Sequence, residues 1–344
     1  MLKENSFLII GGTGSLGKQL ISRLLPLDKK IIIYSRDEAK QWTMKNELKS
    51  HPKKDNVLFR VGDIRDRERI ASVIFETNPE AIIIAAALKH VDTCEMSPEE
   101  SIKTNTIGPL NVAQIIEQHH KNLDCTKVLM VSTDKACEPV NVYGMCKAIS
   151  ERIISSKFQS ISDTKIKFLC TRYGNVLDSR GSIIPLFKFQ SENSDSLTLT
   201  HDEMTRFVMT LDQSVDLIFE TLANGQSGDT WVPKIPAMKI IDLAEIFSEY
   251  SSKPIKKIPI RPGEKIHETL ISESESLRVY EKNGYYVVKS PLTQIADENK
   301  KMSAYSSNLD LMTKDQLRNM LIEKGYLKAN VESYAGIHID EIRK

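Results

Sequence analysis

Short apolar runs alternate with longer amphipathic stretches through the first half of the chain. The apolar runs are SFLII (6–10), KIIIYS (30–35), VLFRVGD (57–63), AIIIAAA (81–87), KVLMVST (127–133) and IKFLCTRYG (166–174). Between them, SLGKQLISRLL carries its apolar residues at helical spacing, and DEAKQWTMKNELKS and DRERIASVIFET read as helices. A long helix is expected around 99–120 and another from about 143. Strands apolar throughout and separated by helices predict a parallel sheet covered on both faces. The expected class is α/β, a doubly wound sheet.

After about residue 174 the rhythm breaks. RYGNVLDSRGSIIPLF and IRPGEKIHET read as loops carrying polar groups, and DTWVP (229–233) is a candidate strand returning to the main sheet. The expected division is a first domain of 1–174 and about 207–235, and a smaller mixed α/β domain of about 175–206 and 236–300. An extension, 301–344, carries a helix. Thr313 and Gln316 fit a capping box there, and Gly325 is a plausible stop.

Composition narrows the function. Charged residues make up 27% of 344 residues, yet the formal net charge is +1, which gives no electrostatic reason to bind nucleic acid. Five scattered cysteines without C-x-x-C spacing predict reduced thiols and a cytoplasmic location. No apolar run is long enough to span a bilayer. The N-terminus runs directly into the first strand, leaving no room for a signal peptide in this reading. His119 and His120 are neighbours on one helix, and His90 and His267 lack clustered partners in sequence, so no metal site is expected.

Chemistry enters with LIIGGTGSLGKQL. Gly11, Gly14 and Gly17, with Thr13, Ser15 and Leu16 between them, stand at the first strand-to-helix junction. Glycines let a backbone turn tightly and approach a pyrophosphate, while the helix N-terminus offers N–H donors. Alone the string is weak; at this junction of an alternating chain it predicts a dinucleotide site. The second strand ends at Ser35 and Arg36 instead of the acidic residue that grips ribose hydroxyls in NAD sites. A guanidinium there, with Lys40, suits a 2′-phosphate and points to NADP, against the plainer reading of Arg36 as a solvated charge. Asp63, followed by Ile64, either meets the adenine edge or forms a turn.

Tyr143 and Lys147 are one helical turn apart, downstream of a strand ending in Thr133. A nearby ammonium and the nicotinamide charge are expected to lower the phenol's pKa, so that Tyr143 exchanges a proton while hydride moves. Asp134 and Lys135 sit at the mouth of the same strand. Oxidising a sugar hydroxyl to a ketone acidifies the adjacent C–H; a base then removes that proton while an acid helps expel a hydroxyl one carbon further on. Such a pair serves a dehydratase, whereas a simple dehydrogenase has no use for it. The competing reading is a surface salt bridge.

The motifs GGTGSLG, YSRDE, GDIRD, AAALKHV, STDKA, YGMCK, RYGNVLDSRGSIIPLF, MTRF and RPGEKIHE occur in one order over about residues 5 to 290. In this the chain resembles soluble bacterial UDP-N-acetylglucosamine 4,6-dehydratases, extended short-chain dehydrogenase/reductases with a Rossmann domain and a smaller nucleotide-sugar domain. The resemblance implies that Tyr143 takes the 4-hydroxyl proton, with Thr133 hydrogen-bonding it and Lys147 holding the nicotinamide ribose. It further implies that Lys135 removes the C5 proton and Asp134 protonates the departing 6-hydroxyl. Ala85, Ala86 and Ala87 would line the cofactor. Lys89, Asn175, Ser182, Thr205, Arg261 and Glu264 would lie near the nucleotide sugar, with Arg261 on the diphosphate. Tyr143 and WVPKIPAMKIIDLAE point to the flagellin-sugar, pseudaminic-acid branch and to C5 inversion, since some capsule-sugar relatives carry Met in place of that tyrosine. Cys137 and Cys146 replace small residues common there and fit simple packing. Membrane-bound relatives have an N-terminal helical region that is not seen in this sequence. A homo-oligomer, dimer or hexamer, is also implied. Retention at C5, release of the 5,6-alkene, a nucleotide-sugar epimerase or reductase, and a silent NADP-sensing protein remain the alternatives.

Overall fold

The computed structural model describes residues 2–161, 165–177, 182–293 and 302–327. Residues 178–181 of the RYGNVLDSRGSIIPLF motif and 328–344 of the expected extension lie outside them.

Six parallel strands carry the first half: β1 (Ser6–Ile10), β2 (Lys30–Ser35), β3 (Val57–Val61), β4 (Ala81–Ile84), β5 (Lys127–Val131) and β6 (Lys167–Thr171). They pair in the order β3-β2-β1-β4-β5-β6. Each apolar run forms its strand, and the ends of the quoted segments (Gly62–Asp63, Ala85–Ala87, Ser132–Thr133) leave the sheet as loops. Strand Thr230–Pro233 pairs with β6 in parallel, and the hairpin Val279–Lys282/Tyr285–Val288 closes that edge antiparallel. Its turn places Asn283 and Gly284 at φ 51° and 82°, the left-handed pair that suits a two-residue hairpin.

Burial on both faces follows from the period of two. On β1, Leu8 and Ile10 join Ile32, Ile70, Val73 and Val112, while Phe7 and Ile9 face Leu20, Leu24, Val215 and Ile218. Each fully buried aliphatic side chain contributes about 1.5–3 kcal/mol, so two such faces fix strand register firmly. Helix α1 (Ser15–Leu24) and helix Leu211–Asn224 cover one face; α3 (Arg67–Thr77), Gly108–His119 and Val142–Ser160 lie against the other cluster.

A separate apolar cluster holds Ile184, Phe187, Leu197, Leu243, Phe247, Leu317 and Leu321. It gathers helices Ile183–Asn193, Ile240–Ser251 and Lys314–Glu323 over the strand pair Leu197–Leu199/Ile255–Lys257. The last helix begins with the expected capping box between Thr313 and Gln316, and Gly325 follows its end at φ 72°. A three-stranded sheet of Asn175–Val176, Thr205–Met209 and Ala237–Lys239 completes this half.

Strand order reverses between β1 and β4, so the loops after their carboxyl ends diverge and open a crevice. The helix expected around 99–120 is not continuous. Pro98–Ile102 and Gly108–His119 are joined by a π-helical turn over Lys103–Ile107. That turn buries Asn105, whose side chain accepts from Leu88 N–H at 2.9 Å and donates to Leu88 O at 2.9 Å. The irregular turn thereby anchors the loop after β4 from below.

Candidate active site

The crevice holds about 580 Å³ and runs from the Gly-rich turn to the loop after β6. At one end Gly11 adopts φ +86°, and a Cβ there would stand 2.6 Å from Ala86 N; a Cβ on Gly17 would stand 2.1 Å from Gly12 O. Only glycine permits this approach of turn, helix and β4 loop. Helix α1 begins at Ser15 with Gly14 as its cap, so its first N–H groups have no intrahelical acceptor and face the crevice end. Thr13, Gly14, Ser15, Leu16 and Gly17 all line it, as do Ala85, Ala86 and Ala87 opposite. A cradle that a single Cβ would fill fits the pyrophosphate of a dinucleotide.

Ser35, Arg36, Lys40, Asp63 and Ile64 line the same end. Arg36 is 58% exposed and 3.9 Å from Asp63 Oδ2. Asp37 caps helix α2 (Glu38–Glu47) through Lys40 N–H and pairs with Lys40 Nζ at 2.6 Å, so this acid serves the helix start. Asp63 Oδ1 accepts from Arg65 N–H and Oδ2 from its guanidinium at 2.7 Å. Burial would raise the Asp63 carboxyl, yet those bonds hold it below its ordinary value. Asp63 thus forms a turn and also lines the crevice at the end where an adenine edge would lie.

At the other end, Thr133, Asp134 and Lys135 leave β5 as a 3₁₀ turn, and Tyr143 and Lys147 come from helix Val142–Ser160, capped by Asn141. All five line the crevice, together with Lys89, Asn175 and Ser182. Asp134 is 1% exposed; its Oδ1 accepts from Thr133 Oγ1 at 2.9 Å and Lys135 Nζ at 3.1 Å. Its Oδ2 is buried and has no hydrogen-bond partner among the described residues. A buried carboxylate oxygen left in that state is costly unless something else reaches it. Burial alone would weaken the Lys135 ammonium, but Asp134 and Glu268 more than reverse this and raise its pKa. Lys135 is therefore an ammonium at neutral pH.

In the protein itself burial pushes the Tyr143 phenol up to about 12; Lys135 opposes this, Asp134 adds to it, and Thr133 lowers it. A nicotinamide charge beside the ring would act against that burial. Lys147 does not supply the opposing charge: its Nζ donates to Val131 O at 2.6 Å, and burial brings it down to about 8 although Glu151 holds it up. The residues Thr205, Arg261 and Glu264 do not line the crevice. Thr205 is buried, with its hydroxyl 2.9 Å from His267 Nδ1 and 2.6 Å from Ser307 Oγ. Arg261 is exposed, and its backbone N–H donates to Glu264 Oε2 within one turn.

Sequence reasoning overlooked Glu268, whose Oε1 lies 3.1 Å from Lys135 Nζ. Its signal was present, since Glu268 closes the RPGEKIHE motif. Arg206 and Asn105 were missed as well. Among the described residues no group of three or more His, Cys, Asp or Glu is arranged to hold a metal ion, and no helix is long and apolar enough to cross a membrane.

Comparison with known proteins places this geometry. The profile of the polysaccharide biosynthesis protein family matches residues 7–290. The chain is 39% identical over 306 residues to UDP-N-acetylglucosamine 4,6-dehydratase (inverting) of Campylobacter jejuni, covering 88% of each. It is 40% identical over 293 residues to a UDP-glucose 4-epimerase of Rickettsia akari, covering 83% of each. The X-ray structure of Pen from Bacillus thuringiensis superposes with a TM-score of 0.86 at 32% identity, over 95% of this chain and 100% of that one. With a match over most of its length and a crevice built at the expected switch point, the chain belongs to the polysaccharide biosynthesis protein family.

Proposed function

We propose that the protein is an NADP-dependent UDP-N-acetylglucosamine 4,6-dehydratase whose product is a UDP-linked 4-keto-6-deoxy-N-acetylhexosamine inverted at C5. The observation that carries this is the Asp134–Lys135 pair, opening into the same crevice as Tyr143 and the Gly-rich turn. An epimerase needs a tyrosine and a dinucleotide; it does not need this second acid–base couple. A dinucleotide held by the Gly11–Gly17 turn and Ala85–Ala87 would supply the hydride exchange, from C4 of the sugar to C6.

The protein's own groups supply the rest. Tyr143, as the phenolate that the nicotinamide charge and Lys135 would favour against its burial, takes the proton of the 4-hydroxyl, and Lys147 binds the nicotinamide ribose. Proton balance favours Asp134 and Lys135 as the eliminating pair. Their Nζ and Oδ1 lie 3.1 Å apart, and one proton passed from the lysine to the aspartate gives an amine and a carboxylic acid. The amine of Lys135 removes the C5 proton, and the acid of Asp134 gives its proton to the leaving 6-hydroxyl. Water departs, the pair is again ammonium and carboxylate, and as hydride arrives at C6 the C5 carbon takes a proton from solvent on the opposite face, which inverts it. The uncommitted Asp134 Oδ2 supports a donor aimed into the crevice.

The exposed Arg36, with Asp37 committed to its helix, supports NADP over NAD. Residues 1–174 and about 207–235 would bind the dinucleotide, and about 175–206 with 236–300 the sugar nucleotide. A cytoplasmic enzyme of surface-sugar biosynthesis in the pseudaminic-acid branch accords with these features. A homo-oligomer is supported by Ile102, Ile107, Met145 and Ile149, exposed apolar residues on two helical segments packed side by side. The curated epimerase relatives favour a second reading, UDP-sugar 4-epimerisation. Proton NMR of the protein with NADP⁺ and UDP-N-acetylglucosamine in D₂O separates the two. Dehydration gives a C6 methyl signal with deuterium at C5 and couplings of the inverted ring. Only a 4-epimer, with C6 unchanged, would overturn the dehydratase reading.

A further inference from the structure

Lys135 has two carboxylate partners, and only one is a sequence neighbour. Its Nζ is 3.1 Å from Asp134 Oδ1 and 3.1 Å from Glu268 Oε1. Glu268 is 2% exposed and does not line the crevice, so it acts on anything bound there through another side chain. Its backbone is held on both sides: the N–H donates to Ser307 Oγ at 2.9 Å, and the C=O accepts from Ser307 N–H at 2.8 Å. The other cations near Glu268 are engaged elsewhere. Arg206 Nε stands 3.9 Å away while its NH1 donates to Thr205 O and Ile266 O at 2.7 and 3.1 Å. Lys265 Nζ also stands 3.9 Å away and donates to Cys137 O at 2.7 Å. Among the described residues, then, Lys135 is the one side chain within hydrogen-bonding range of the Glu268 carboxylate.

We propose that Glu268 is the positioning residue for Lys135, holding Nζ between two carboxylates and setting how firmly it keeps its proton. This rests on the reading of Lys135 as the base of the elimination. A lysine paired with Asp134 alone would fold back against its neighbour. With Glu268 on its other side, Nζ is drawn across the mouth of β5. When the ammonium passes a proton to Asp134, the resulting amine keeps an N–H bond to Glu268 Oε1, and its lone pair is left for the crevice. No net charge is created by the transfer, because one ammonium and one carboxylate become one amine and one acid.

The groups facing Lys135 are Asp134 from its own turn, Glu268 from the Ile266–Glu268 segment, Arg206 from strand Thr205–Met209, and Tyr143 from helix Val142–Ser160. Removing the Glu268 charge leaves one anion, Asp134, against Arg206, so the ammonium is held less firmly. The test reads this directly, on full-length protein without sugar. Acetic anhydride is applied in trace amount at pH 9, and acetylation of Lys135 relative to exposed lysines is measured by peptide mass spectrometry. E268Q is expected to raise Lys135 acetylation at least tenfold with thermal unfolding still cooperative. Acetylation unchanged within twofold in a folded E268Q overturns the proposal. Should the glutamine variant not fold, E268D keeps the charge but withdraws it by one methylene. It is then expected to raise labelling at least threefold, and unchanged labelling again overturns the proposal. Turnover of UDP-N-acetylglucosamine is measured in parallel. There E268Q is expected to lose ten- to a hundredfold in kcat with KM within threefold. If the wild-type protein fails to dehydrate the sugar, the functional reading fails while the labelling result still decides the Glu268–Lys135 coupling.

Discussion

Two buried charge clusters flank helix Val142–Ser160, and they are finished differently. Around Arg172 every side-chain nitrogen of the guanidinium donates: Nε and NH2 to Glu151, NH1 and NH2 to Glu275, and NH1 also to Leu270 O. Both oxygens of both glutamates accept. Around Lys135, by contrast, Asp134 Oδ2 and Glu268 Oε2 are buried with no hydrogen-bond partner among the described residues. The first cluster is closed and ties β6 to that helix and to the short helix Glu273–Ser276. The second is open toward a crevice. Burying ions costs several kcal/mol each, so a fold that only needed support would complete the bonds, as it does at Arg172. Of the unfinished carboxylates, Asp134 is the one that lines the crevice, and there the free acceptor is placed to receive something else. Tyr143 and Lys147 lie on the crevice side of the helix, and Glu151, one turn beyond Lys147, belongs to the closed cluster.

The contrast breaks most readily at Asp134. Asp134→Asn preserves size and one acceptor but cannot carry the shuttled proton, so turnover is expected to fall by about 10²–10⁴. The folded fraction, followed by urea unfolding, should change little. An Asp134→Asn protein with near wild-type turnover would make the open cluster structural and remove the basis of the dehydratase reading.

Arg172→Met should do the reverse. It leaves Glu151 and Glu275 buried without their cation, a defect worth about 3–5 kcal/mol. The urea midpoint is expected to drop accordingly, while kcat per folded molecule stays within a few-fold. Full stability together with lost turnover would mean that the closed cluster is the functional one.

Acid should reveal the same cluster in the wild-type protein. Burial would raise the Glu275 carboxyl, but Arg172 and the bonds around it bring the pKa to about 2, from an ordinary 4.5. Its folded value is depressed, so its contribution is fully present above about pH 4.5 and is lost as pH falls toward 2. A shift of that size corresponds to about 3 kcal/mol. Glu275→Gln should flatten that part of the stability–pH curve. An unchanged acid limb in the variant would show that the pair is not the one being titrated.

These clusters also show what the sequence discloses. β1, β2, β4, β5 and β6 were legible because each is apolar on both faces and bounded by turn residues, while the edge strand β3 was read from a shorter apolar run. Asp134, Lys135, Tyr143 and Lys147 were legible because they sit on one strand end and the helix that follows it. Glu268 was not singled out, because it meets Lys135 only through tertiary folding, from a motif whose other charged residues drew attention. Arg172 lies just beyond an apolar strand, where one cation looks like a loop charge until its two glutamates arrive from elsewhere. The hairpin at 279–288 did leave a local sign, Asn283–Gly284 between β-rich segments, which the reading of that region as a loop-rich second domain passed over. At Tyr143 the charges expected to acidify the phenol were a nearby ammonium and the nicotinamide. Lys147 in fact turns to Val131 O, and burial governs.

Cys137 offers the gentlest probe of the comparison, since it stands between the clusters. Its thiol donates to Glu275 Oε2 at 3.4 Å on the closed side, while its carbonyl accepts from Lys265 Nζ on the side of Glu268. Burial raises the thiol's pKa well above the ordinary range, so at neutral pH it is a protonated donor and unreactive. Cys137→Ala removes that donor and a small apolar volume but leaves the carbonyl in place. Because Glu275 Oε2 keeps its bond from Arg172, the expected loss is about 1 kcal/mol, with turnover per folded molecule within twofold. A larger loss of stability would mean that the thiol completes the closed cluster. A loss of turnover without loss of stability would mean that strain at this residue reaches Lys135 through Lys265 and Glu268, and that the two clusters are coupled through the backbone between them.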